Sequence, residues 1–208
     1  MPVRLGRHGG ALVVLFDEGT VGGVDARGGA PGTRELDVLA PENLVGRVDA
    51  VCVASGGPAG LAAADGVLRW LRERDRGFRV GEGPGQVVPI VPAATNPGGP
   101  APDAEAGHLA CRAAGEWAVD GVAALVEGAV VVVVVDAELD KARCRRVAIS
   151  ARDGLVRAGA PDVATTVFAA ATGTRPPAGP LELDALCGAA ADSVTVAYQV
   201  LRAEAADR

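Results

Sequence analysis

Six consecutive valines, Val130 to Val135, lie between Gly128–Ala129 and Asp136. Valine is stiff at χ1 and suits a pleated strand better than a helix. Because no polar residue alternates with the valines, the run predicts a central strand that is covered on both faces. Six residues span roughly 20 Å as a strand, whereas a membrane helix needs about 20 apolar residues, so this run predicts no membrane span.

The chain has 208 residues, 29 of them glycine, and only six aromatic side chains (three Phe, two Trp and one Tyr). This length predicts a single domain over residues 1–208 that buries roughly 70% of its unfolded surface. The scarcity of aromatic residues predicts a core of alanine and valine, with helices packed close to sheets. The net charge of −6 is spread along the chain without a basic patch, so we expect no nucleic-acid partner.

The four cysteines, Cys52, Cys111, Cys144 and Cys187, are far apart and show no C-x-x-C spacing. We interpret them as small buried hydrophobes, which argues for a reducing compartment and against a zinc site. The first ten residues contain no apolar segment before a small-residue cleavage site, so no secretory signal is expected. These features predict a cytoplasmic protein that needs no cofactor or metal and does not contact a membrane.

On both sides of the valines, the pattern predicts further strands and helices. The predicted strands are Ala11–Asp17, Val21–Ala26, Val48–Ala54, Val87–Val91, Val122–Val126 and Thr165–Ala171, of which the first two are expected to form a hairpin. The predicted helices run from Pro58 to Gly77, from Asp103 to Trp117, from Glu138 to about Ala158 and from Leu183 to about Ala205. Asp136, Glu138 and Asp140 are interpreted as charges at a helix N-terminus.

Two local patterns could carry chemistry by themselves. Ser55–Gly56–Gly57–x–x–Gly60 imitates a dinucleotide-binding turn, but a serine replaces the first glycine and Pro58 removes a donor, which favours a purely structural turn. The two histidines, His8 and His108, do not lie beside a nucleophile-elbow sequence. We therefore expect no Ser–His–Asp triad.

Several longer segments together resemble one family, the self-processing aminopeptidases. It includes L-aminopeptidase/D-esterases, β-peptidyl aminopeptidases and the nylon-oligomer hydrolase. The matching segments are Val24–Glu35, Ala63–Val67, Val88–Ala94, Asp103–Gly107 and Val167–Gly173. The resemblance runs from about Ala11 to the C-terminus and implies an α/β fold, the αββα sandwich of the N-terminal-nucleophile or D-aminopeptidase type. Such proteins cleave their own chain before a Ser or Thr, which then acts as nucleophile beside its new amine.

The sequence departs from this family at the positions of the family's catalytic residues. The glycine-rich middle region expected after about residue 118 is nearly absent, so the sandwich is expected to be truncated in the middle. An ungapped alignment back from Asp136 places Gly128, which has no side chain, at the position of the nucleophile. The acidic segment before the last strand reads Val163–Ala164–Thr165–Thr166, and Pro97 stands where the family has a phenol. Nucleophile, oxyanion partner and orienting acid are thus all missing, and no catalytic residue is expected.

These departures predict a degenerate family member, a pseudoenzyme that neither cleaves itself nor hydrolyses peptides. It would act as a ligand-binding or partner subunit for a small molecule or short peptide, for example in secondary metabolism. The alternative is a repurposed hydrolase or cyclase that acts on an amide, peptide or ester. Candidate ligand-binding residues around the old pocket are Asn96, Asp162, Thr165, Thr166, Ser55 and Asp25.

The missing segment would leave one side of the valine strand and its sheet uncovered. An uncovered apolar edge is an association site, and symmetric assemblies are the common solution for such chains. We expect a homo-oligomer with contacts around Val122–Val126. A different partner chain that fills the missing segment is the alternative.

Overall fold

The computed structural model describes residues 3–29, 32–161 and 164–206. Internal contacts divide the chain into two compact units. The first unit comprises Met1–Thr20, Pro31–Leu39 and Asn43–Ala118, and the second comprises Val21–Ala30, Ala40–Glu42 and Val119–Arg208. The single domain expected from the length of the chain stays a prediction.

Strands and helices alternate along the chain. The strands are β1 (Val3–His8), β2 (Ala11–Leu15), β3 (Val21–Arg27), β4 (Thr33–Arg34), β5 (Ala50–Ala54), β6 (Phe78–Arg79), β7 (Val87–Val88), β8 (Ala93–Thr95), β9 (Gly115–Trp117), β10 (Val122–Glu127), β11 (Val130–Glu138) and β12 (Thr165–Pro177). The helices are α1 (Ala62–Arg72), α2 (Ala104–Arg112), α3 (Lys141–Arg157) and α4 (Pro180–Ala206), with 3₁₀ helices at Asp37–Leu39 and Gly57–Leu61. None of the described helices is long and apolar enough to cross a membrane.

The first unit contains a six-stranded sheet in the order β4-β8-β5-β2-β1-β9, together with the small β6–β7 pair. β2 lies inside the sheet, antiparallel to both β1 and β5. Alternate residues of β2 and β5 form a core with α1 and α2. Among the described buried residues of this one core, Trp70 is the only aromatic side chain. Small aliphatic side chains therefore build this core, as the composition predicts.

The second unit contains a four-stranded sheet in the order β10-β11-β12-β3, so the valine strand β11 is central. It pairs antiparallel with β10 and parallel with β12. Val131, Val133 and Val135 belong to the core that includes α3 and α4. The alternate valines, Val130, Val132 and Val134, are at most 2% exposed on the other face. The prediction of a central strand that is covered on both faces is confirmed.

The expected hairpin between Ala11–Asp17 and Val21–Ala26 is wrong, because the two strands belong to different sheets. β2 instead forms a hairpin with β1, a strand not predicted from the sequence, through a two-residue turn at Gly9–Gly10. Both glycines have positive φ, 55° and 85°, as a turn of this length requires when it follows the twist of the strands. The adjacent glycines are the sequence feature from which this hairpin could have been predicted.

Two further boundaries and the role of Asp136 differ from what the sequence predicts. The helix expected to reach Trp117 ends at Arg112, and Trp117 lies instead in β9, which pairs with β1. The next helix begins at Lys141, because Asp140 is its N-cap and accepts a hydrogen bond from the Arg143 amide at 2.8 Å. Asp136 is therefore not a helix N-terminal charge: it is a buried residue of β11 whose carboxylate accepts a hydrogen bond from the Gly121 amide at 2.9 Å.

The α3 and α4 helices approach each other closely where α3 carries a glycine. A Cβ atom on Gly154 would overlap the backbone carbonyl oxygen of Ala191 in α4. A backbone carbonyl in the middle of a helix cannot move aside as a flexible side chain would. The absence of a side chain at Gly154 therefore sets the distance between the two helices.

We predict that Gly154→Ala lowers the free energy of unfolding by about 1–3 kcal/mol, the usual cost of overpacking. Gly188→Ala is the matched control, because Gly188 lies in α4 with open space where the Cβ would be. It should raise the free energy of unfolding by about 0.5–1 kcal/mol, since alanine favours a helix more than glycine does. Urea unfolding of both variants measures this, and an equal effect of the two substitutions would contradict the close approach.

Candidate functional site

Gly128, the expected nucleophile position, lies in the turn that joins β10 to β11. Glu127 pairs with Val130, so Gly128 and Ala129 are the two central residues of a tight hairpin. Gly128 has φ of 58°, whereas Ala129 is not among the residues with positive φ. A two-residue turn with positive φ at its first central position favours glycine there, because other residues are strained in that conformation.

At this position the resemblance implies a Ser or Thr nucleophile that uses its own free α-amine as base. Gly128 has no side-chain hydroxyl or thiol that could take that role.

Thr165 and Thr166 begin β12, next to this hairpin. Thr166 pairs with Val130, and its amide donates a hydrogen bond to the carbonyl oxygen of Ala129 at 3.1 Å. Both threonines are buried, at 7% and 3% exposed. Successive residues of a strand point to opposite faces. Thr165 therefore shares the helix-facing side of the sheet with Val167, and Thr166 lies on the other side, so the two hydroxyls do not form one site.

Arg152 of α3 connects Thr165 to Asp25. Its Nε donates to Asp25 Oδ2 at 2.6 Å, and its Nη2 donates to the backbone oxygens of Asp25 and Thr165 at 2.9 and 3.1 Å. Its Nη1 donates to the Thr165 hydroxyl oxygen. The side chains of Arg152 and Asp25 are 12% and 11% exposed. We call Asp25, Arg152 and Thr165 the arginine clamp, because one guanidinium holds β3 and β12 to α3.

The sequence pattern predicts Asp25 and Thr165 as candidates but does not indicate Arg152. The sequence feature that could have predicted the burial of Arg152 is its position in the helix. Arg152 lies four residues after the buried Ala148 and directly after the buried Ala151. Arg27 also lies 3.0 Å from the Asp25 carboxylate, so Asp25 balances two cations. The clamp thus engages the carboxylate of Asp25 and the hydroxyl of Thr165, two of the predicted ligand-binding candidates, in contacts within the protein.

Ser55 and Asn96, the candidates in the first unit, lie together in a network of loop hydrogen bonds. The Gly57 amide donates to the Asn96 carbonyl oxygen at 2.9 Å, and the Gly56 amide donates to the Gly98 carbonyl oxygen at 2.8 Å. The Ser55 hydroxyl donates to the Pro100 carbonyl oxygen at 2.6 Å. The amides of Gly56 and Gly57 already have acceptors in these loops, so they are not available to a phosphate in this conformation.

Asp162, the remaining ligand-binding candidate, lies outside the described residues.

The His108 side chain pairs with a carboxylate of α1's C-terminal end. Its Nε2 lies 2.9 Å from Glu73 Oε2, and this hydrogen bond lowers the pKa of the Glu73 carboxyl. Within residues 3–29, 32–161 and 164–206, no group of three or more His, Cys, Asp or Glu side chains could hold a metal ion.

The four cysteines are free and buried. Burial raises the pKa of the Cys52, Cys111 and Cys144 thiols to about 12, so these three are protonated and unreactive at neutral pH. The interpretation of the cysteines as small buried hydrophobes agrees with this placement.

Comparison with known sequences adds one family and several relatives. Residues 8–99 and 102–206 match the sequence model of peptidase family S58. An uncharacterized aminopeptidase of Mycobacterium leprae is 53% identical over 123 residues, which are 56% of this chain and 33% of that protein. An uncharacterized aminopeptidase of Mycobacterium tuberculosis is 54% identical over 112 residues, 51% of this chain and 32% of that protein. The chain thus spans about one third of the length of the curated relatives that it matches.

Comparison with solved structures shows the fold. A β-aminopeptidase of Burkholderia sp. has a TM-score of 0.71 at 17% identity, over 95% of this chain and 83% of that one. The L-aminopeptidase D-Ala-esterase/amidase of Ochrobactrum anthropi, described as a variant of the Ntn-hydrolase fold, has a TM-score of 0.67 at 14% identity, over 95% and 82%. The expected fold class, the α/β fold of the N-terminal-nucleophile aminopeptidases, is confirmed.

The arginine clamp generates a stability prediction. Asp25→Ala would leave the guanidinium of Arg152 nearly buried without its carboxylate, which should lower the free energy of unfolding by about 3 kcal/mol. Asp25→Ala combined with Arg152→Met should recover part of this loss, because the unpaired charge is then gone.

Asp192→Ala is the matched control for this prediction. Asp192 pairs with Arg157 at 2.8 Å, but its side chain is 74% exposed, so the substitution should change stability by about 0.5 kcal/mol at most. Urea unfolding compares the variants. Equal losses for Asp25→Ala and Asp192→Ala would show that the clamp contributes no more than a surface ion pair.

Proposed function

This chain belongs to peptidase family S58, and we propose that it is a non-cleaving, catalytically inactive member that acts as a ligand-binding or partner subunit. Its ligand would be a small molecule or a short peptide, the class that the family's aminopeptidases handle. The four free, buried cysteines support a reducing compartment, and we place the protein in the cytoplasm.

The observation that carries this proposal is the hairpin at Gly128. The start of β11 lacks a hydroxyl or thiol, and the turn favours glycine by its positive φ. A hydroxyl cannot be restored there without strain in the turn. The loss of the nucleophile is therefore supported by the backbone as well as by the side chain.

The remaining positions of the family's chemistry support the same proposal. Thr165 occupies the position where the resemblance implies an acidic orienting residue, and the arginine clamp engages its hydroxyl. Pro97 occupies the position of the expected phenol and offers no hydroxyl to an oxyanion. A covalent mechanism would thus lack its nucleophile, its orienting acid and its oxyanion partner.

We predict that the purified chain stays whole. Mass spectrometry should show one species near 20.8 kDa, because no side chain at residue 128 can attack the preceding carbonyl. Two fragments that split between residues 125 and 131 would overturn the assignment of Gly128 to the nucleophile position.

We also predict no turnover of amino-acid amides or short peptides with a free N-terminus above the uncatalysed background. The measurement is product release by the intact chain, compared with Thr165→Ala, Thr166→Ala and the control Thr174→Ala. Thr174 lies on the same strand, but its hydroxyl bonds to the Asp136 carbonyl oxygen at the far end of β11.

Turnover would favour the second candidate, a repurposed hydrolase or cyclase. The observation that favours it is the position of Thr166, which pairs with Val130 and lies beside the hairpin. Turnover abolished by Thr166→Ala but not by Thr174→Ala would establish that reading and overturn the proposed inactivity.

For the partner role, we propose a homo-oligomer that associates through β10. β10 is an edge strand of the four-stranded sheet. Its residues Val122 to Leu125 are only partly buried, and the strand contains no lysine or proline. Lysine and proline are the residues that usually protect a sheet edge from pairing. A different chain that occupies the same edge is the alternative partner.

We predict that the parent protein is oligomeric in light scattering and that Leu125→Glu gives a smaller species, because it places a charge on the edge strand. The matched control is Val200→Glu, which places the same charge at a 53% exposed position of α4 and should leave the oligomer intact. A parent protein that is a monodisperse monomer of 20.8 kDa would overturn the self-association.

A further inference from the structure

A groove of about 500 Å³ lies along the outer side of α1 in the first unit. We call it the α1 groove, and it is lined by Asp65, Leu68, Arg69, Arg72, Glu73 and Gly85. It uses no residue of the Gly128 hairpin or the arginine clamp. Its volume lies within the range of small-molecule sites, roughly 300–1,000 Å³.

Three of the four charged residues in the groove are already paired. Asp65 accepts a hydrogen bond from Arg34 at 2.6 Å, and Arg69 donates to Glu105 at 2.5 Å. Glu73 is held by His108 at 2.9 Å and by Arg74 at 3.3 Å. In each of these pairs the two opposite charges neutralise one another.

Arg72 differs from these neighbours. In the part of the chain that the structure describes, its guanidinium has no hydrogen bond or ion pair. The charges of the groove and their partners comprise four arginines (34, 69, 72 and 74) and four carboxylates (35, 65, 73 and 105), because Arg34 also pairs with Glu35 at 3.6 Å. Arg34 thus takes two of these carboxylates, and Arg72 is the guanidinium of this set without a carboxylate partner.

Leu68 supplies the apolar part of the groove. It is half-buried, and it packs against the core of the first unit. It lies one helical turn before Arg72, and residues four apart in a helix lie on the same face. An apolar surface and an unpaired guanidinium are thus side by side, within reach of one small ligand.

We propose that the α1 groove binds a small carboxylate with a short aliphatic body. The carboxylate accepts hydrogen bonds from the guanidinium of Arg72, whose planar fork matches a carboxylate with two parallel bonds. The aliphatic body covers Leu68. Because the other charges are paired with each other, they neither attract nor repel the ligand strongly.

The test uses 4-methylpentanoate as the probe and saturation-transfer difference NMR of the full chain, which suits weak binding. We expect saturable binding of 4-methylpentanoate. Acetate lacks the aliphatic body and should bind at least about fivefold more weakly, because each CH₂ group that is buried strengthens binding severalfold. 4-Methylpentanamide lacks the charge and should also bind at least about fivefold more weakly, because it loses the hydrogen bonds between two charged groups.

Arg72→Gln should weaken the binding of 4-methylpentanoate by about five- to tenfold. Arg202→Gln is the matched control, because it removes the same charge from an exposed arginine of α4 and should have no effect. No saturable binding by the parent chain would overturn the proposal, as would equal binding of acetate or of the amide. Equal losses in the two variants would show attraction by net charge alone and would also overturn it. Circular dichroism confirms that both variants are folded.

Discussion

The parallel pairing of β11 with β12 is the interaction on which the second unit depends. Two parallel neighbours need a crossover between them, and α3 forms that crossover. The helix covers the face of the sheet that carries Val131, Val133 and Val135. Because valine branches at Cβ, each of these residues fills its place in the core without a long side chain, and the helix backbone can come close to the sheet.

Backbones also lie close together between α3 and α4, and between β3 and α3, where the arginine clamp forms. Gly154 lets α3 approach the carbonyl of Ala191 in α4, and Gly23 lets β3 approach the start of α3 near Cys144. The same nearness brings Arg152 within hydrogen-bonding distance of Asp25 and of Thr165. A buried guanidinium is costly unless its donors are satisfied, and here they meet one carboxylate, one hydroxyl and two backbone oxygens. The clamp therefore follows from the packing, and it engages two of the polar residues that the sequence predicts as ligand-binding candidates.

The hairpin at Gly128 links the fold to the proposed loss of chemistry. In a chain that cleaves itself, the first residue of the central strand would be a new N-terminus. Here β10 continues into β11 through two residues, and the turn conformation favours the residue type that has no nucleophile. Fold and activity are separable in this way because the sheet needs only the ladder of hydrogen bonds, which does not depend on the side chain at residue 128.

The sequence by itself determined the central strand and the family. Six unbroken valines can only be satisfied by burial on both faces, and the ordered segments from Val24 to Gly173 are long enough to specify one scaffold. It also determined that Gly128 has no side chain. It did not determine strand partners: β2 pairs with β1 and β3 with β12, although β2 and β3 are neighbours in sequence. Partner choice depends on contacts between residues far apart in the chain, which local pattern does not record. For the same reason only the tertiary structure decided the role of Arg152, whose partners lie 127 and 13 residues away. A charged helix residue is exposed or buried according to what packs over it, and that is a property of the fold.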